Sequence, residues 1–171
     1  MIKNSCKLLL IVLLFPCLLS ITSCSLFKPD ISGLWQSKES VSAKFLFIPS
    51  DKIGSAQGIC FGSIPAQFSN HPIYSATYTV ARGYIAFKTG NDSTNPAYMW
   101  KYKIDGDWMS VYFVNSPDDK ELWNSATYHR IKSFKQYKLE HPDDFKTTNG
   151  TKMYTYRDDD GIVHTFIQSS Q

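Results

Sequence analysis

From residue 31 onward the chain alternates apolar and polar residues in short runs separated by turn-forming residues. No run in this region keeps the 3.6-residue period of an amphipathic helix over several turns. Strands with one packed face produce such a pattern, so the sequence predicts a nearly all-β domain. The predicted strands cover residues 32–38, 43–48, 58–64, 73–81, 83–89, 97–104, 107–114, 125–132, 151–157 and 162–168.

The clearest local pattern is a hairpin around Asp105 and Gly106. An Asp-Gly pair accepts the positive φ angles of a two-residue type I′ turn. The two faces of this hairpin then differ in polarity, because one carries Lys101 and Lys103 and the other is apolar throughout. The register set by this turn predicts three apolar cross-strand pairs, Tyr102 with Met109, Trp100 with Val111 and Tyr98 with Phe113.

A second hairpin is predicted at residues 158–161, where Gly161 supplies the left-handed residue of a bulged loop and Tyr154 lies opposite Phe166. Between the two hairpins, residues 133–150 carry charged side chains around isolated aromatic residues. This pattern indicates a short helix followed by a loop that begins at Pro142. We therefore expect one domain, with a short helical connector before the C-terminal hairpin.

The first 23 residues have the order of a secretory signal peptide. Lys3 and Lys7 precede an apolar run over residues 8–19, and small polar residues follow. A membrane-spanning helix needs about 20 consecutive apolar residues, and this run is shorter. Pro16 also interrupts it, which a removable leader tolerates better than a spanning helix. We expect residues 1–23 to be cleaved off.

The leader ends in Leu-Ser-Ile-Thr-Ser-Cys at residues 19–24, which resembles the lipobox of bacterial lipoproteins. In that family the peptide is cut before the cysteine, whose thiol carries a diacylglyceryl group. The resemblance implies a lipid on Cys24 that anchors the protein to a membrane of the cell envelope. Ser25 stands where an aspartate favours inner-membrane retention in similar enterobacterial lipoproteins, and so implies the outer membrane. Residues 24–30 would then form a short lipidated tether.

Charge and cysteine content narrow the possible partners. Cleavage removes two of the 18 basic side chains and none of the 15 acidic ones, which leaves a net charge of +1. A nearly neutral chain gives no reason to expect nucleic-acid binding. Cys6 and Cys17 lie in the leader and Cys24 is expected to carry lipid, so Cys60 has no partner for an internal disulfide.

The start of the domain resembles a known barrel family. Gly33-Leu34-Trp35 is similar to the G-x-W motif of lipocalins and related calycins, and Arg130, late in the chain, stands where this superfamily often has an arginine. The resemblance implies that residues 31–171 form a single antiparallel β-barrel of about eight to ten strands. It also implies that Arg130 packs across Trp35 and closes the barrel, by a contact worth on the order of 1 kcal/mol. Another β-barrel, a β-sandwich and a mixed fold remain alternatives.

The sequence offers no recognisable catalytic or metal site. The four histidines, His71, His129, His141 and His164, have no partner at zinc-ligand spacing. The three acids at 158–160 lack the calcium-loop pattern and are typical of a turn. Cys60 is expected to be a buried, unreactive thiol. We therefore predict no catalytic residue, metal or cofactor, and a protein that is not an enzyme.

Two functions remain, and they differ in what fills the barrel. A hollow barrel predicts the binding of a small apolar molecule or lipid, in a cavity of roughly several hundred Å³. A filled barrel predicts a structural or protein-interaction module of the envelope, a docking subunit or inhibitor that uses a strand edge or apolar patch. In the hollow case the ligand would contact the apolar face of the first hairpin, namely Tyr98, Trp100, Tyr102, Met109, Val111 and Phe113.

Overall fold

Eight antiparallel strands form a closed β-barrel in which each strand pairs with the next and the last returns to the first. The computed structural model describes residues 29–51, 54–62, 75–81, 83–88, 98–114, 116, 118 and 123–168. The predicted leader, Cys24 and most of the tether lie outside these residues. The barrel strands are β1 (Gly33–Ser37), β2 (Lys44–Pro49), β3 (Gln57–Gly62), β4 (Ser75–Ala81), β5 (Tyr84–Lys88), β6 (Tyr98–Asp105), β7 (Trp108–Val114) and β8 (Trp123–Lys132). The predicted antiparallel barrel is confirmed.

The C-terminal part begins with the predicted helical connector, α1 (Phe134–Glu140), and a 3₁₀ turn (Pro142–Asp144). The side chain of Ser133 caps α1 by accepting a hydrogen bond from the backbone N–H of Gln136 at 3.3 Å. A three-stranded sheet follows, made of β9 (Phe145–Thr148), β10 (Thr151–Arg157) and β11 (Val163–Gln168), with β10 in the middle. Sequence analysis assigned residues 145–148 to a loop, and that assignment was wrong because their pairing with β10 is a tertiary contact.

The β10–β11 hairpin confirms the predicted pairing of Tyr154 with Phe166. Gly161 has the expected positive φ, at 81°. The loop is the predicted three-residue bulged loop. The backbone N–H of Asp158 donates to the carbonyl of Ile162 at 3.0 Å and the N–H of Gly161 donates to the carbonyl of Asp158 at 3.1 Å, which leaves residues 159–161 as the loop.

The β6–β7 turn differs from the prediction. Asp105 pairs with Trp108, so the two loop residues are Gly106 and Asp107. Only Gly106 has a positive φ, at 58°, and a positive φ at the first loop position alone is the pattern of a type II′ turn. The cross-strand partner of Tyr102 is therefore Val111 instead of Met109. The register moves by two residues, so every side chain keeps its predicted face.

The barrel wall is buried on both faces along β2 and β3. Phe45 and Phe47 point into the barrel, while Leu46 and Ile48 point outward under the C-terminal sheet. Tyr154 and Tyr156 of β10 cover this outer surface, together with Tyr137 of α1. Strands buried on both faces lose apolar and polar alternation, which explains the continuous apolar run in β2. In β4, by contrast, buried and exposed residues alternate because its outer face meets solvent.

The two ends of the barrel are distinct. At the lower end, the chain enters β1 beside the β6–β7 turn and the end of β8, where the backbone N–H of Arg130 donates to the carbonyl of Asp107 at 2.8 Å. At the upper end, residues 38–43 connect β1 to β2, and the longer segments 63–74, 89–97 and 115–122 connect later strands. The two-residue connections, 82–83 and 106–107, lie at the lower end, together with the N-terminal side of the domain.

Gly33 lies where β1 meets β8 and explains the glycine of the G-x-W motif. Its φ is 118°, and a Cβ atom there would lie 2.4 Å from the carbonyl oxygen of Lys132. We expect Gly33→Ala to lower the free energy of unfolding by at least about 2 kcal/mol, measured by urea denaturation. Gly161→Asn is the matched control, because Gly161 also has a positive φ but has open space around it. Equal effects of the two substitutions would contradict the close approach at Gly33.

Candidate functional site

Arg130 and Trp35 form a contact at the lower end of the barrel. The guanidinium carbon of Arg130 lies 4.5 Å from the centre of the Trp35 ring. Trp35 has no exposed surface, and its indole nitrogen donates a hydrogen bond to the carbonyl of Ile31 at 2.8 Å. A guanidinium suits this position because it stacks on an aromatic face while its N–H groups bind oxygen at its rim.

The same guanidinium holds the start of the domain. Arg130 donates to the carbonyl of Asp30, and its nitrogens lie 3.7 Å and 3.8 Å from the carboxylates of Asp30 and Asp107. One side chain therefore connects the chain before β1, the ring of Trp35, the β6–β7 turn and β8. This arrangement closes and stabilises the barrel, and offers no reactive group.

Five of the six residues predicted to contact a ligand lie on the inner side of the barrel. Trp100, Met109 and Val111 have no exposed surface, and Tyr102 is 9% exposed. Phe113 is partly buried and packs against the same core. The side chain of the sixth predicted residue, Tyr98, lies outside the described structure.

The barrel interior around Trp100 is filled by aromatic rings from several strands. The Trp100 ring centre lies 4.6 Å from that of Phe87 and 4.9 Å from that of Phe45, and both rings meet it edge to face. Phe113 and Tyr128 complete its surroundings at 5.7 Å and 6.2 Å. These rings come from β2, β5, β7 and β8, so the contacts cross the barrel. They follow the edge-to-face and offset geometries that aromatic rings favour.

A chamber beside Trp100 would leave solvent-accessible surface on its walls. Trp100, Met109 and Val111 have none, so no space wide enough for a water molecule adjoins them. These three side chains therefore form a packed core, as in the filled alternative.

The ionisable groups in and near the barrel do not form a catalytic constellation. Burial raises the pKa of the Cys60 thiol well above its ordinary value, which disfavours the nucleophilic thiolate at neutral pH. His129 packs against Trp108 with the rings tilted by 47°, and His141 stacks on Tyr137, at separate positions on the surface. Within the described ranges, no three His, Cys, Asp or Glu side chains come together as a metal site would require.

A cleft that the sequence did not reveal lies between the barrel wall and the β10–β11 hairpin. It encloses about 230 Å³. Lys44 of β2 binds both carboxylate oxygens of Asp159, at 2.7 Å and 2.8 Å. These two residues are 115 positions apart, so only the folded chain brings them together. The residues lining the cleft are Ser42, Lys44, Gly62, Tyr156, Asp158, Asp159, Asp160 and His164.

Asp158 of this cleft holds the hairpin. One carboxylate oxygen of Asp158 accepts hydrogen bonds from the backbone N–H groups of Asp160 and Ile162, at 3.0 Å and 2.8 Å. The other lies 2.8 Å from Nε2 of His164. Sequence analysis interpreted residues 158–160 as a turn, and for Asp158 that role is present. The pair of Lys44 and Asp159 therefore fastens the C-terminal sheet to the barrel, while Asp158 holds the hairpin itself.

Comparisons with known proteins add no relationship. No protein-family model matches the chain, and no match was found among curated proteins or solved structures. Among the described residues, no helix combines the length and apolar character that crossing a membrane requires.

The hairpin contacts predict a specific acid sensitivity. The hydrogen bond with His164, aided by the backbone N–H groups of Ile162 and Asp160, lowers the pKa of Asp158 below its ordinary value. Because the folded pKa is the lower one, the stabilisation is complete above the unfolded pKa of about 4 and is lost as pH falls through the folded value. Asp158→Asn should therefore reduce stability at pH 6, and the difference from wild type should shrink towards pH 3. Urea midpoints measured across this range would show it.

The control is Asp143→Asn, which removes an exposed carboxylate of the 3₁₀ turn. We expect its difference from wild type to be small at every pH. An Asp158→Asn difference that does not change with pH would show that the carboxylate charge plays no part in holding the hairpin.

Proposed function

We propose that this protein is a non-enzymatic lipoprotein of the bacterial cell envelope, anchored through a lipid on Cys24, whose filled β-barrel supports contacts with another envelope protein. The lipobox-like sequence at residues 19–24 supports the anchor, and Ser25 supports outer-membrane sorting. The choice between a ligand carrier and an interaction module rests on the packing of Trp100 against rings from four other strands. A core filled at this point favours an interaction module over a carrier of small apolar molecules.

The C-terminal sheet offers a surface for such a contact. Strand β11 is at the edge of its sheet, and no strand of the described residues pairs with its outer side. Val163 and Ile167 are 48% and 64% exposed on one face of this strand. Edge strands are commonly protected by lysine, proline or a bulge. Strand β11 contains no lysine and no proline, and His164 is its one ionisable side chain. An extended segment of a partner could therefore add to this edge by backbone hydrogen bonding.

The filled core can be tested with a small apolar probe. We expect the wild-type protein not to bind indole in titration calorimetry. Trp100→Ala should lower the free energy of unfolding by about 3–5 kcal/mol and open a space that binds indole. Trp108→Ala is the matched control, because this tryptophan is 46% exposed and its removal leaves no internal space.

If Trp100→Ala does not fold, Met109→Ala offers a smaller void at an equally buried position. Saturable binding of indole or a fatty acid to the wild-type barrel would overturn the filled-core proposal and restore the hollow alternative.

The partner surface can be tested by photo-crosslinking in living cells. A crosslinking residue at position 167 should yield one defined adduct with an envelope protein, and Val163→Lys should weaken that adduct because it places a charge on the same face. The control position is Leu139 of α1, which is apolar and 74% exposed but lies away from a strand edge. Identical adducts from positions 167 and 139 would contradict docking at β11.

A further inference from the structure

The point at which the tether joins the domain is fixed. Asp30 accepts a hydrogen bond from the backbone N–H of Ser32 at 2.9 Å through its carboxylate. Its carbonyl accepts a hydrogen bond from Arg130, whose own backbone N–H binds the β6–β7 turn at Asp107. The chain that precedes β1 therefore leaves the barrel at the lower end, beside this turn.

The tether is short compared with the barrel. Six residue steps separate Cys24 from Asp30, and a fully extended chain covers at most about 20 Å in that distance. Strand β8 alone has 10 residues and, at about 3.3 Å per residue, extends for roughly 33 Å. A lipid on Cys24 would thus hold the lower end near the bilayer, while the upper end can stand clear of it.

An apolar patch lies on the outer wall at this end. Trp108 is the first residue of β7 and is 46% exposed, and its ring centre lies 4.7 Å from that of His129 on β8. Ile131 lies two residues further along β8, where the pairing of β8 with β1 shifts register, and it is 38% exposed. We call Trp108, His129 and Ile131 the lower patch.

The composition of the lower patch fits the interface between lipid headgroups and acyl chains. Tryptophan is enriched at that interface because its ring is apolar while its N–H can bind water or headgroup oxygen. Charge around the patch is balanced, since Asp105 and Asp107 offset Lys103 and Lys132. Attraction to anionic lipid is therefore not required, and burial of the apolar side chains would drive the contact.

Building on the lipid anchor of the proposed function, we propose that the lower patch docks on the bilayer surface, with Trp108 inserted at the headgroup level. Docking orients the barrel so that its upper end faces away from the membrane. The neutral surroundings of the patch lead to a second expectation, that the contact forms equally on zwitterionic and anionic bilayers and changes little with salt.

The test uses quenching of tryptophan fluorescence by brominated acyl chains. The mature chain is coupled through Cys24 to a maleimide phospholipid in phosphatidylcholine vesicles, since Cys60 is fully buried and will not compete. We expect quenching in the wild-type protein and its loss in Trp108→Phe. Trp35 and Trp100 have no exposed surface. The Trp108→Phe variant gives the emission of all tryptophans other than Trp108, including Trp123, and this signal is subtracted from that of the wild-type protein.

The matched control moves the fluorophore to the other end. Val41 is 74% exposed in the β1–β2 connection, so Val41→Trp in the Trp108→Phe background reports on the upper end. We expect this variant to remain unquenched. Equal quenching from positions 108 and 41, or no difference between wild type and Trp108→Phe, would overturn the proposal.

Failure of the anchor itself is detected separately. Mass spectrometry of the N-terminal peptide from cells shows whether Cys24 carries lipid, and the synthetic coupling tests the lower patch whatever that result is. Quenching that appears only with anionic vesicles and disappears at high salt would also contradict a contact driven by apolar burial.

Discussion

The pairing of β1 with β8 is the constraint on which the rest of the structure depends. An open eight-stranded sheet would leave two edges and an uncovered apolar face, whereas closure buries that face inside the barrel. Gly33 allows the backbones to approach at this seam, and Arg130 covers the adjacent ring of Trp35. Because the guanidinium also binds Asp30 and approaches Asp107, the seam determines where the chain enters the domain.

A second apolar layer makes the barrel wall part of two cores. Phe61 of β3 faces outward and stacks with Tyr156 of β10 at 5.9 Å, so the C-terminal sheet packs on the wall as a separate layer. Lys44 and Asp159 fasten the edge of this layer. The C-terminal sheet therefore completes the burial of β2 and β3, which would otherwise expose a broad apolar surface to solvent.

The packing around Trp100 favours functions on the outside of the barrel. The outer surface offers two different apolar features, the exposed edge strand β11 and the lower patch around Trp108. An edge strand presents backbone hydrogen-bonding groups, which suit another polypeptide, whereas an isolated tryptophan among balanced charges suits a lipid interface. A lipid-anchored protein could use both features together, with one orienting it and the other meeting its partner.

Local sequence patterns determined much of this fold. Alternation in strands such as β4, the turn glycines and the capping by Ser133 depend on neighbouring residues, and the predicted faces of β6 and β7 survived because the register error was an even number of residues. The tertiary structure decided what depends on distant residues. It created β9, joined Lys44 to Asp159, buried both faces of β2 and filled the space around Trp100. Whether a barrel is hollow depends on how side chains from strands on opposite sides pack against one another. A local sequence pattern does not determine that packing.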